Sequence, residues 1–260
     1  MRVPIIIAVA CALTLLSACS TDKSGGQKNL ASAAVSPVEV QNAFDDPKEA
    51  ALSGLSAVRR MLETNQDYDG MGFRSAEEFS HATIGDPSSL FGVGVDKLAD
   101  YKPEADPQSM LVDVHRLMYP VMVGGEGRAL ITVEQKEGKW RFVSFGDPEV
   151  AKNLVRVRGH KSAAPGGSAP SSYFMVRVNS LFLTFLGKIE KTTDAPGGSM
   201  VLVPLNGKQA LKTGPGFRDN PQFLLANPKF NAENEGSKKA NDVFGALAAE
   251  AKKIDRSKPL

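Results

Sequence analysis

Tyr119-Pro120-Val121-Met122-Val123-Gly124-Gly125-Glu126-Gly127-Arg128-Ala129-Leu130-Ile131-Thr132-Val133-Glu134-Gln135-Lys136-Glu137-Gly138-Lys139-Trp140-Arg141-Phe142-Val143-Ser144-Phe145 decides the fold class. Two apolar runs, Tyr119 to Val123 and Ala129 to Gln135, flank a glycine-rich turn at 124–127 and read as a hairpin. Glu137-Gly138 turns the chain again into a third strand, Trp140 to Phe145. The faces of this meander are mixed, so one side requires a cover. A helix follows at once: Asp147-Pro148-Glu149 starts it, and Val150, Leu154 and Val157 form its apolar stripe.

The same grammar extends upstream. Asp46 caps, Pro47 suits the first helical position, and Glu49 completes a capping box. Leu52, Leu55, Val58 and Leu62 then fall on one face, and the helix ends near Thr64. Ser75-Ala76-Glu77-Glu78 opens a shorter helix that Ile84-Gly85-Asp86-Pro87 stops. Leu90 to Val95 and Met110 to Val114 read as strands. Downstream, Tyr173 to Val178, Leu181 to Leu186 and Met200 to Leu205 are strands, residues 206–236 read as irregular, and a helix runs from Lys238 to Ile254.

The expected architecture is therefore α+β, with antiparallel sheets packed by amphipathic helices. Its organisation is a first unit at 37–158, a Gly/Pro/Ser/Ala linker at 159–172, and a second unit at 173–260. Ser88-Ser89-Leu90-Phe91-Gly92-Val93-Gly94-Val95 is similar to Ser171-Ser172-Tyr173-Phe174-Met175-Val176-Arg177-Val178. Later short matches recur in the same order, which points to two related units. A helix followed by a meander resembles cystatin-like and secreted-protease propeptide modules, an architectural likeness without functional content.

The N-terminus carries the most specific signal. Met1-Arg2 precedes an apolar run from Ile5 to Leu16, too short to span a bilayer. Leu16-Ser17-Ala18-Cys19 then meets polar Ser20-Thr21-Asp22-Lys23. This tetrapeptide resembles the lipobox of bacterial lipoproteins, and the likeness covers residues 1–22. The resemblance implies a signal peptide at 1–18 removed before Cys19, and a Cys19 thiol carrying a diacylglyceryl group. The new amino group is then usually acylated, palmitate being one such chain. Ser20, rather than aspartate, follows the cysteine, which by the same resemblance implies the outer membrane in a two-membrane cell. Residues 19–36 form a flexible tether by composition. The Ser20-x-x-Lys23 spacing within it lacks any pocket.

Cysteine usage narrows the chemistry further. Only Cys11 and Cys19 occur, so a processed and lipidated chain keeps no free thiol for redox, metal or nucleophilic work. Lys and Arg number 31 against 29 Asp and Glu, a balance that offers nucleic acid no general attraction. No later apolar run is long enough to span a membrane.

Candidate sites are few. Asn65-Gln66-Asp67-Tyr68-Asp69-Gly70 supplies oxygen ligands at alternate positions and a turn glycine, as calcium loops do. Asn65, Asp67 and Asp69 are the ligands of that reading. Ala76 stands where a bidentate carboxylate belongs, and the competing reading is an acidic turn. Lys152, Arg156, Arg158, His160 and Lys161 form a basic cluster at a helix end. They either complement the helix dipole or bind anionic glycan or lipid head groups. Asp113-x-His115 pairs an acid and a base on one strand face. His81, His115 and His160 share no ligand spacing, and no HExxH, GxSxG or GxGxxG motif is present. Leu181-Phe182-Leu183-Thr184-Phe185-Leu186 is apolar on both faces and belongs to a core or to a partner contact.

The functional expectation is an envelope lipoprotein, anchored through lipid, acting as a non-catalytic binding or scaffold module for a protein or envelope polymer. No cofactor is expected, calcium aside, and no nucleic acid. The alternatives are an envelope hydrolase built on carboxylates and a periplasmic small-ligand carrier.

Overall fold

A computed structural model describes residues 42–163, 172–190, 199–206 and 238–254, with only the backbone of 160–163 included. The signal sequence, Cys19 and the tether lie outside these residues, as do 164–171 of the linker and 207–237.

The meander forms as three long strands: β3 (Val112–Val123), β4 (Glu126–Lys136) and β5 (Lys139–Gly146). Before it come α1 (Pro47–Asn65), α2 (Ala76–Ser80), β1 (Thr83–Ile84), β2 (Ser88–Gly92) and α3 (Val95–Ala99). After it come α4 (Pro148–Ala163), β6 (Tyr173–Val178), β7 (Leu183–Glu190), β8 (Ser199–Pro204), β9 (Lys238–Lys239) and α5 (Ala240–Ala251). The fold is α+β around one mostly antiparallel sheet, in the order β5-β4-β3-β2-β6-β7-β8-β9, with β1 also paired to β3. The expected antiparallel strands meet in one continuous sheet. The join is parallel, with β2 beside β6 and Leu90 opposite Met175. The two similar segments are thus adjacent strands. They sit two residues out of their sequence alignment, an offset that leaves their faces matched.

Several boundaries move for local reasons. Asp106 accepts from Gln108 N at 2.9 Å and Pro107 follows it, so 107–110 closes as a 3-10 turn and β3 begins only at Val112. Asn179–Leu181 likewise forms a 3-10 turn ending in left-handed Phe182, so β7 starts at Leu183. The linker shrinks most. Residues 159–163 continue α4, because alanine and serine suit a helix as well as a tether.

Three apolar clusters hold the layers. On one face, Val150, Ala151, Leu154 and Val157 of α4 meet Leu90, Met118, Leu130, Met175, Leu186 and Val203, which come from six strands. On the other face, α1 and α2 cover Tyr119, Val121, Ala129, Ile131, Val133 and Phe145. There Gly54 admits the Phe142 ring, where a β-carbon would overlap it. Beside them on that face, α3 and α5 cover Val176, Val178, Leu183, Phe185, Met200 and Leu202. Most of the Leu181–Leu186 run is therefore core, feeding the clusters on both faces; Phe182 alone is exposed.

Polar ties fix α4 to both halves of the sheet. Asn153 Nδ2 donates to Leu205 O at 2.7 Å, and Arg177 pairs with Asp147 Oδ2 at 2.8 Å. Arg158, 7% exposed, donates to Asp86 O at 2.8 Å, to Pro87 O at 3.1 Å and to Ser88 Oγ. Burial lowers its pKa, while Asp86 and Tyr173 oppose that shift. Lysine cannot reproduce this fork. Arg158→Lys and Arg158→Met should each cost about 2–3 kcal/mol, because buried acceptors lose their donors. Urea unfolding measures it; a loss below about 0.5 kcal/mol, the range of an inert surface change, would remove Arg158 from the framework.

Tyr119, 3% exposed, has its pKa raised to about 12 by burial and, secondarily, by Asp46. Between pH 10 and 12 the folded chain keeps a phenolic proton that the unfolded chain releases, so stability falls as pH rises. The loss should reach about 2–3 kcal/mol by pH 12. Tyr119→Phe should flatten this alkaline slope in denaturant titrations; an unchanged slope would mean that other groups carry it.

Candidate functional site

An open-sided hollow of about 580 Å³ lies beside α3. Asp96 and Lys97 come from α3, Asp100, Tyr101, Lys102 and Ala105 from the loop after it, and Ser109 and Met110 from the 3-10 turn. Tyr101 and Met110, 8% and 5% exposed, supply its apolar floor. Asp96, Lys97, Asp100 and Lys102 are exposed on its rim.

The loop is held in place before any ligand arrives. Tyr101 OH donates to Ala105 O at 3.2 Å. Asn241, at the start of α5, donates to Pro103 O at 2.7 Å and to Ala105 O at 3.0 Å. Tyr101 also stands edge-on to Phe244 of α5, centroids 5.6 Å apart. Burial raises the pKa of Tyr101, with Asp106 and Glu104 adding to the shift, so carboxylate field reaches the floor. Met110 was read as a strand residue, and the loop was given no role. Its partner Asn241 is far away in sequence, so no local pattern announces the hollow.

The residues named from the sequence fare differently. Asn65 Oδ1 accepts from Asp67 N at 3.2 Å, and Asp67 Oδ1 from Gly70 N at 3.1 Å. Both oxygens thus serve the turn. Among the described residues no group of three His, Cys, Asp or Glu converges as a metal cage.

The described members of the basic cluster have different surroundings. Arg158 is buried as a structural donor, whereas Lys152 is exposed. Arg156 donates to Asn153 Oδ1 at 3.3 Å, and the side chains of His160 and Lys161 lie outside the described residues. Asp113 and His115 do meet, at 3.6 Å, but on an exposed bulge of β3 where His115 has φ 53°. Asp113 Oδ1 also accepts from His115 N at 2.7 Å, so the carboxylate braces the bulge. No protein-family model, curated protein or solved structure matches this chain.

Proposed function

We propose that this chain is a lipid-anchored envelope protein whose folded domain is a non-catalytic binding module for a macromolecular partner. The observation that carries the reading is Leu16-Ser17-Ala18-Cys19 at the end of a short apolar leader, ahead of a polar, glycine-containing stretch. The described domain begins by clipping itself to the sheet. Phe44 and Trp140 exchange backbone bonds of 2.9 and 2.8 Å, and Lys139 pairs with Asp45 at 2.6 Å.

The shape of the hollow supports a large partner over a small ligand. Small-molecule sites bury most of their ligand's surface, and this hollow is open-sided. Its two carboxylates, Asp96 and Asp100, are exposed, whereas carboxyl acid catalysis draws on apolar enclosure. Among the described residues no helix is long and apolar enough to cross a membrane, so membrane attachment in this reading rests on lipid at Cys19. One acyl chain binds marginally and two or more bind stably.

Cys19→Ser should move the protein from the membrane pellet to the soluble fraction while its thermal melting stays unchanged. If the variant still sedimented with membranes, the anchor would lie elsewhere. Pull-down of the wild-type chain from detergent-solubilised envelopes should recover a stoichiometric partner, and repeated recovery of none would overturn the binding role.

A further inference from the structure

We propose that the hollow beside α3 docks a cationic segment of a protein partner, one in which an apolar side chain is flanked by lysine or arginine. The inference rests on the binding-module reading and names the chemistry of its partner.

The first ground is the shape and polarity of the floor. Tyr101 and Met110 present an apolar base, and the loop above it is pre-positioned by Asn241 and by the Tyr101–Ala105 bond. A surface already in its bound shape loses little order on docking. The second ground is charge. The lining balances Asp96 and Asp100 against Lys97 and Lys102, and the adjoining exposed Glu104 and Asp106 add two carboxylates that give the segment 96–106 a net negative charge. An anionic envelope glycan would meet net repulsion here, whereas a basic peptide meets complementary charge. Lys97 and Lys102 on the same rim discriminate further, because they favour a segment whose cations are spaced rather than continuous.

The test uses the chain from residue 19 onward with Cys19→Ser, which leaves docking independent of the anchor. Two peptide probes are titrated by calorimetry: one alternates lysine with leucine, the other alternates glutamate with leucine. The lysine peptide should bind, and its affinity should fall several-fold between 50 and 300 mM salt, as expected for screened charges. The glutamate peptide should bind at least about tenfold more weakly. The double variant Asp100→Lys with Glu104→Lys should lose most of the lysine-peptide affinity and keep the wild-type melting temperature. Lys97→Glu should strengthen binding.

Equal binding of the two peptides, affinity indifferent to salt, an unaffected double variant, or no heat from either peptide at millimolar concentration would each overturn the proposal. Failure of the anchor is read separately, from the fractionation of wild type and Cys19→Ser. A wild-type chain that sediments with membranes but ignores both peptides would leave the anchor standing and remove the docking chemistry.

Discussion

The burial of α4 against the sheet is the contact on which the rest of the architecture depends. Its stripe, Val150, Ala151, Leu154 and Val157, meets side chains from β2, β3, β4, β6, β7 and β8. Among the described residues, α4 is the helix whose apolar cluster takes in both strands of the parallel β2–β6 join. That join has only three registered pairs, so backbone bonding alone is thin there. Side-chain burial compensates: fully burying a Leu or Val contributes about 1.5–3 kcal/mol. The polar ties from Asp147, Asn153 and Arg158 then fix where along the sheet the stripe lies. An apolar stripe alone permits sliding; a guanidinium that must meet Asp86 O, Pro87 O and Ser88 Oγ together does not.

An open sheet of this size must also manage its edges, and one of its irregularities falls on an outer strand. Outer strand β5 carries a register shift against β4 between Thr132 and Val133, and Phe44 bridges its start at Trp140. The β2–β3 ladder shifts again between Leu90 and Phe91, and His115 there turns left-handed under the Asp113 carboxylate. Bulges twist an edge away from regular pairing and discourage sheet-to-sheet association. In the interior β2–β3 ladder the Asp113–His115 pair braces the bulge. The acid satisfies a backbone donor that the bulge would otherwise strand.

Much of the fold was legible because the signals were local. Asp46 and Ser75 do cap α1 and α2, accepting from Lys48 N at 2.6 Å and from Glu78 N at 3.2 Å. Glu137 and Gly138 take the positive φ that a tight hairpin demands. What stayed hidden was long-range. Nothing in β2 or β6 announces that they pair in parallel, since that choice is made by α4 lying across both. Arg158 sits among basic neighbours in sequence, and its burial depends on carbonyls about 70 residues earlier. The loop of the hollow beside α3 is tied down by Asn241, across a gap of 136–138 residues. The side chains named for calcium and anions also serve the backbone: Asn65 Oδ1 and Asp67 Oδ1 accept from N–H groups of the turn, and the Arg158 guanidinium donates to Asp86 O.

The placement of the hollow bears on the anchored reading. The chain enters the domain at β5, the outermost strand of the order. The hollow lies with α3 and α5, which cover β6, β7 and β8 beyond the parallel join. Five strand steps separate β5 from β7, about 24 Å at the usual inter-strand spacing. A tether rooted beside the docking surface would hold that surface against the bilayer and crowd a macromolecular partner. In the anchored reading proposed above, entry at the far edge would keep the hollow clear of the membrane side, because one continuous sheet fixes the separation between Phe44 and the hollow.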